Sequence, residues 1–592
     1  MQMLSFCLNH PQDIDRILDE FREQYPPKYS SILCFIFTSE NSPEPNQKIC
    51  SLINEEFPDV QIVGCTSSGE IFEGEVKFET ILINFIIFET SSIHITSFDL
   101  NAVSADDATA SISAQAKNIP ALKGIGFYTT PAIFNDMPIF TETLSELPES
   151  IHIFGGSAYF YKRPGSNIKS SAAVFTKSTW ITNGALAVFF SGEDLHINVN
   201  SYIGWKQLGR ELTITGMKNR TTITTFDNKP AISLYKDYLG IVPEKDFYRP
   251  LITFPIIIRR DGHKIARVPY SWNNDGSIQV SGDCRIGEHL SLSYGDPISM
   301  RRHLHKTCAD ISLFAPQVIL IFSCVVRRLY LKQDVNLELA PFSKIAPTAG
   351  MYIFGEIRRF DEYTNVHLLN NALLSVSFRE GEKPVNNPRT LPPVDEAKDE
   401  RLLLVSGLAH FVTVTNKELE AANRELRYLA STDRLTGLLN RGATESALKE
   451  SLEQFRRNPE NGVGLIMLDL DFFKKVNDTF GHEEGDRVLK EAAKIMQSSI
   501  RQSDSAGRWG GEEFMIILPK CSHDAATQIA EKLRIKMQTI KLPDGSSVTA
   551  SIGVATAAPR DTTDSLYTKL DSLLYTAKKR GRNQVCTDKH VS

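Results

Sequence analysis

Runs of consecutive apolar residues recur through the long first part of the chain. SILCFIFT (31–38), TILINFIIF (80–88), ALAVFFSG (185–192), LITFPIII (251–258), VILIFSCVV (318–326) and ALLSVSF (372–378) are separated by breaks rich in Gly, Pro and Asn. Short apolar runs between such breaks read as buried strands, so the pattern predicts a mixed α/β region from Ser31 to about Phe378. Residues 380–398 then combine four prolines with charges and almost nothing apolar, which reads as a solvated connector. Beyond it the period changes. Val405, Leu408, Val412, Thr415, Leu419, Ala422, Leu426 and Leu429 follow a 3-4 spacing, the seam of a left-handed coiled coil. Such a helix either packs on its own domain or pairs with a second copy, and the pattern's regularity up to the next domain favours pairing. From Ser431 the reading is α+β. Strands are expected at GLIMLDLD (464–471), EFMIILP (513–519) and SVTASIGVAT (547–556), with helices at about 486–501, 525–539 and 565–579.

The chain's 592 residues suggest about four domain-sized units. With 42% hydrophobic and 23% charged residues the composition is that of an ordinary globular protein. Disorder throughout and a polytopic membrane protein are excluded, because the longest apolar runs are too short to span a bilayer. The N-terminal MQMLSFCLNH lacks a basic flank before an apolar core, so no signal peptide and a cytoplasmic location are expected. Nine scattered cysteines without a CxxC pair suit a reducing compartment and buried thiols, Cys65 and Cys324 among them. A net charge of −6 gives no case for nucleic acid or for membrane insertion.

The chemistry concentrates near the C-terminus. DRLTGLLNR (433–441), LDLDFFKKVNDTFGHEEGD (468–486), RQSD (501–504), RWGGEEF (508–514) and AKKRGRN (577–583) follow one another. Asp469 and Asp471 close an apolar strand. Glu512 and Glu513 follow the Gly510–Gly511 pair, which permits a tight hairpin. If the two strands are neighbours, these carboxylates cluster, and hard oxygens of this kind suit Mg²⁺ or Mn²⁺ bridging to phosphates. The plain alternative is a hairpin with solvated acids. Lys578 and Arg582, at a helix end, either complement the helix dipole or clamp phosphates. Asn477 and Asp486 either cap local structure or read guanine through its N1–H and exocyclic amine. Arg501 and Asp504, three apart, are on their own an ordinary helix-end ion pair.

Together these five motifs resemble the GGDEF domain of diguanylate cyclases over about 155 residues, here with the signature GGEEF. The resemblance implies a nucleotide-cyclase-like fold that condenses two GTP into cyclic di-GMP with release of pyrophosphate. It implies metal binding by Asp469, Glu512 and the Leu470 carbonyl, and proton abstraction from the 3′-hydroxyl by Glu512 or Glu513. Guanine would be held by Asn477 and Asp486. Phe472, Phe473 and Lys474 would contact phosphate, aided by Lys578 and Arg582, with Gly510 and Gly511 against the nucleotide. Arg501 and Asp504 match the family's product-inhibition site. One domain holds one GTP, so catalysis implies a homodimer, and the heptad helix would set its geometry.

The N-terminal part carries GCTSSGEI (64–71), a small-residue turn after the strand VQIV (60–63) that suits anionic or zwitterionic ligands. The alternative is a plain strand-to-helix connection. With FGGSAYF (154–160), FSCVVRR (322–328) and GEIRRF…HLLNN (355–371), it resembles the FIST sensory domain. That resemblance implies a small-molecule sensor with an amino-acid-like ligand favoured. Some FIST proteins bind haem and sense nitric oxide; His152, His289 and His367 are candidates here, though none matches an axial ligand and lone histidines are more often structural.

The expected architecture is therefore a FIST-like sensor at 1–379 (N part roughly 25–225, C part roughly 226–379), a linker at 380–398, a coiled-coil helix at 399–430 and a GGDEF domain at 431–592. The expected activity is a ligand-regulated, product-inhibited diguanylate cyclase. Its rivals are an inactive GTP or cyclic di-GMP receptor and a haem-based gas sensor with the same output.

Overall fold

The computed structural model describes residues 1–160, 171–241, 248–360, 365–383, 400–458, 460 and 462–588. Most of the proline-rich linker lies outside them. The chain forms two compact units, Met1–Asn416 and Lys417–Ser592.

The first unit holds three six-stranded sheets and one of eight strands. The strands Ser31–Thr38 and Val60–Thr66 run parallel, as do Leu122–Thr129 with His152–Ser157 and Val318–Cys324 with Thr348–Ile353. Each pair sits in a different six-stranded sheet, and each is buried on both faces, which explains the uninterrupted apolar runs. One core joins the three sheets, with Phe35 and Val63 from the first, Tyr128 and Val188 from the second, and Leu320, Met351 and Val376 from the third. Two of these sheets draw strands from both sides of residue 225. Glu70–Phe72 pairs with Thr348–Ile353, and Gly355–Arg359 pairs with His152–Ser157. The N and C parts thus follow one another in sequence but are interleaved in space. The edge strand Gln2–Leu8, paired with Ile81–Phe88, also belongs to this unit.

Several expected elements differ. LITFPIII divides into a helix, Tyr248–Thr253, and a strand beginning at Ile256, because Pro255 cannot continue either element. In VILIFSCVV the strand ends at Cys324 and a helix, Val325–Leu331, follows; a short apolar run does not distinguish the two states. In GCTSSGEI, Gly64–Thr66 still belongs to the strand. The turn leads into another strand, Glu70–Phe72, rather than a helix.

The second unit begins within the long helix α1 (Glu400–Ser431). Its elements are α2 (Arg441–Arg457), β1 (Val463–Leu470), α3 (Phe473–Phe480), α4 (His482–Gln497), β2 (Ser505–Gly510), β3 (Glu513–Pro519), α5 (His523–Met537), β4 (Ala550–Thr556), α6 (Thr563–Lys579) and β5 (Val585–Thr587). The sheet order is β2-β3-β1-β4-β5, so the DLD strand is central and the GGEEF strand is its neighbour. Apolar clusters cover both faces of the sheet. The helix expected at about 486–501 is α4, shifted four residues toward the N-terminus, and a separate helix, α3, precedes it. Gly481, at φ +88°, separates the two, and α4 starts at His482 and ends at Gln497.

On α1 the expected seam is solvent-facing. Leu408, Leu419 and Leu426 are 57–63% exposed, and Val412 and Leu429 are also exposed. Val405 falls where no side chain is described. No described helix is long and apolar enough to cross a membrane. All nine cysteines are free, and Cys65 and Cys324 are buried with thiols raised by burial.

Candidate active site

The C-terminal end of β1 gathers the site. Strand β3 lies antiparallel to β1 in a register that sets Glu513 opposite Asp469. A two-residue turn, Gly511–Glu512, joins β2 to β3, and Gly511 takes φ +27° there. The Leu470 amide donates to the Glu512 carbonyl at 3.3 Å, fastening the turn to the strand end. Asp469, Glu512 and Glu513 therefore meet, as adjacency of the two strands requires.

Helix α6 delivers the cation. Lys578 Nζ donates to Asp469 Oδ2 at 2.7 Å. Asp469 is buried, and burial raises its carboxyl above the ordinary range even against the pull of Lys578. Burial also raises Glu512 and Glu513, and the Asp469 charge raises both further. The cluster thus carries more negative charge than its one ammonium balances.

Asp471 takes a different part. Its carboxylate accepts from Ser551 Oγ at 2.6 Å, Thr549 Oγ1 at 2.8 Å and the Asn583 amide at 3.0 Å. Both oxygens are consumed in tying the loop after α6 to the sheet. That loop carries Arg582, whose guanidinium lies 4.3 Å over the Phe472 ring. Phe472 is 61% exposed and adopts a left-handed φ of +57°, turning the chain sharply from β1 into α3. Phe473 is buried beneath α3, while Lys474 is exposed.

Helices α3 and α4 form an antiparallel hairpin that brings Asn477 near Asp486. Asn477 lies against Gly485, where an added Cβ would sit 1.8 Å from its Oδ1. Asp486 is exposed in the second turn of α4, past the cap position. Arg501 and Asp504 stand together beyond the end of α4, with a different contact from the expected side-chain ion pair. Asp504 Oδ2 accepts from the Arg501 backbone amide at 2.8 Å, which leaves the exposed guanidinium outside that bond.

Two positioning residues went unassigned in the motifs. Arg508 donates to the Gly511 carbonyl at 2.7 and 2.9 Å and to Asp433 at 3.3 Å, bracing the glycine turn from behind. Both lie inside motifs named above, DRLTG and RWGG, but neither motif announces the contact between them.

Asp469, Glu512 and the Leu470 carbonyl offer hard oxygen donors in an uncompensated negative field, which fits Mg²⁺ or Mn²⁺. Among the described residues no group of three or more His, Cys, Asp and Glu side chains could hold a metal ion, so phosphate oxygens would have to complete the shell. The haem candidates lie outside this unit. His152, His289 and His367 stand on three separate strands, and the His367 ring bonds Asp261 at 3.0 Å.

A five-stranded sheet with acids at one strand end, a lysine from the last helix and a glycine hairpin alongside defines a nucleotide-cyclase-like α+β domain. Residues 430–584 match the model of the GGDEF domain, described as diguanylate cyclase; residues 32–229 match the FIST N domain and 231–359 the FIST C domain. The chain thus carries a GGDEF domain at its C-terminal end and FIST N and FIST C domains before it. Curated relatives include YhcK of Bacillus subtilis (strain 168), 42% identical over 28% of this chain and 47% of its own length. Diguanylate cyclase DgcM of Escherichia coli (strain K12) is 34% identical over 33% of this chain and 45% of its own. Response regulator PleD of Caulobacter vibrioides is 42% identical over 26% of this chain and 36% of its own. The chain thus spans less than half the length of these relatives.

Proposed function

We infer that the chain is a diguanylate cyclase, joining two GTP molecules into cyclic di-GMP with release of two pyrophosphates. The observation that carries this reading is the convergence of Asp469, Glu512 and Glu513 on Lys578 at the end of β1. Raised carboxyls at Glu512 and Glu513 bring a general base nearer neutral pH, suited to accepting the proton of an attacking 3′-hydroxyl. Lys578 and Arg582 supply positive charge for the triphosphate, and the backbone N–H groups where β1 turns into α3 at Phe472, Phe473 and Lys474 supply neutral donors. Asn477 and Asp486, across the α3–α4 hairpin, present the amide and carboxylate that guanine's edge demands. A bound Mg²⁺ would neutralise phosphate charge and lower the pKa of the hydroxyl.

Each product needs two attacks, and one domain holds one substrate. Two domains must therefore face each other, and the apolar seam of α1 supports pairing of two copies. The FIST part is the ligand-responsive input, and Arg501 with Asp504 form the site where product restrains turnover. The test is incubation of purified protein with GTP and Mg²⁺ across a range of protein concentrations. Cyclic di-GMP should form with a rate per protomer that rises with concentration, and Glu512→Ala should abolish it without lowering the melting temperature. Absence of product at every concentration would overturn the reading.

A further inference from the structure

The first unit contains a cavity of about 480 Å³, within the usual range for small-ligand sites. One wall is the helix Met137–Ser145 of the N part. The other is built from the C part, around the strands Ile256–Arg260 and Val366–Leu369. The walls are fastened together. Ser145 Oγ accepts from the Val366 amide at 2.8 Å, and Arg359 donates to the Pro148 carbonyl at 2.7 Å and to the Leu144 carbonyl. The cavity is thus preformed and lies where the two interleaved parts meet.

Its charges are unequal in availability. Arg260 lines the cavity, yet its guanidinium is already saturated. Nε donates to Glu288, Nη1 to both Asp283 oxygens, and Nη2 to the Asp283 carbonyl and Glu288. Asp283 is further occupied by Arg267. This network has nothing left for an anion.

The acids are less occupied. Asp261 accepts from Asn365 at 2.8 Å and from His367 at 3.0 Å, both through Oδ2. Among the described residues no donor reaches its Oδ1. The Asn365 bond holds this carboxyl below the ordinary range, and burial lowers the His367 imidazole. Glu142 and Glu146 line the opposite wall, and among the described residues Glu142 is paired with Arg220 alone, at 3.9 Å. Among the described lining residues Arg285, exposed at the edge, is the other arginine; its amide donates to Glu288, while its guanidinium takes no part in the hydrogen bonds given above.

We propose that this cavity binds a small ligand through a primary ammonium group, held between Asp261 on one wall and Glu142 and Glu146 on the other. A short diamine or a small amino acid would present this group; the second would also give a carboxylate to Arg285. The inference rests on the reading of the FIST part as an input, and it deepens that reading by naming the site and the ligand chemistry.

The test is isothermal titration calorimetry on the purified full chain with putrescine, with alanine and with acetate. At least one of the two amines should bind saturably and acetate should not. Arg285→Ala should weaken alanine alone, which separates the two sources. Asp261→Asn should weaken binding at least tenfold. Glu142→Gln, on an exposed helix face where folding is not at risk, should weaken it severalfold. Absence of binding by both amines, acetate binding as well as alanine, or unchanged binding in both acid variants would overturn the proposal. Because heat is read directly, failure here leaves the cyclase reading standing, and failure to make cyclic di-GMP leaves this one standing.

Discussion

Lys578 on the last helix reaches Asp469 on the central strand at 2.7 Å, and this pair anchors the cluster of acids at the end of β1. Asp469 is 7% exposed at its side chain and Lys578 33%. Lys578→Met should therefore leave a nearly buried carboxylate unpaired, at a cost of about 1–2 kcal/mol after allowance for solvent at the lysine. Turnover should fall by roughly 100-fold or more, because the group is placed where phosphate charge must be balanced. Lys578→Arg should recover part of both. Thermal melts with a cyclic di-GMP assay check this, and an unaltered kcat in Lys578→Met would remove the residue from the mechanism.

Gly485 is where the guanine reading meets packing. An alanine there would press on Asn477 Oδ1, the free end of a short side chain. Stability should change by no more than about 1 kcal/mol, since alanine also favours the helix. The displaced amide should raise KM for GTP by roughly tenfold, the loss of about one good hydrogen bond. Steady-state kinetics decide it; an unchanged KM would mean that Asn477 does not touch the base.

The Arg501 guanidinium is exposed and outside the Asp504–amide bond, so Arg501→Ala should leave the fold and the uninhibited rate unchanged. Added cyclic di-GMP should no longer restrain the variant. Persistence of inhibition at the wild-type concentration would move the restraint to some other place.

Leu419 lies on the exposed seam of α1, and proline there removes a helix bond and kinks the helix, at about 3 kcal/mol or more within that element. Leu419→Pro should lower activity most strongly at low protein concentration and shift the sedimentation profile toward monomer. A fully active dimer of this variant would exclude α1 as the pairing element.

Glu70 supplies a pH signature in the FIST part. Its carboxylate accepts from Ser39 and Ser67 at Oε1 and from Thr80 at Oε2, yet burial pushes its pKa from 4.5 up to about 7. The folded state thus retains a proton that the unfolded chain releases. Its contribution to stability falls as pH rises from about 4.5 to about 7 and levels off above that, by roughly 3 kcal/mol in total. Glu70→Gln should flatten that part of the slope. Chemical denaturation of the full chain at several pH values, with the sensor transition followed separately, measures it; an identical slope in the variant would refute the assignment.

The legible parts were those where local chemistry decides. β3 appears over the residues expected, 513–519, because a short apolar run follows a glycine-bearing turn. The proximity of Asp469 to Glu513 followed from one premise, strand adjacency, which the sheet order satisfies. Roles set by distant partners were not legible. Nothing near Asp471 announces that Ser551, Thr549 and Asn583 consume it, and nothing near Arg508 announces Asp433. The Val325–Leu331 helix was hidden because an apolar run serves a buried strand and a buried helix equally well.

The pairing of Glu70–Phe72 with Thr348–Ile353 also bears on how the protein is made. An early strand has to wait for its neighbour until almost the entire sensor has left the ribosome. Until then its edge and the apolar faces behind it stay uncovered, and closing so long a loop is slow. The sensor should therefore acquire its core in one late step. A nascent chain stalled before residue 348 would be protease-sensitive and prone to aggregate, and the halves expressed separately would recover the fold only when supplied together.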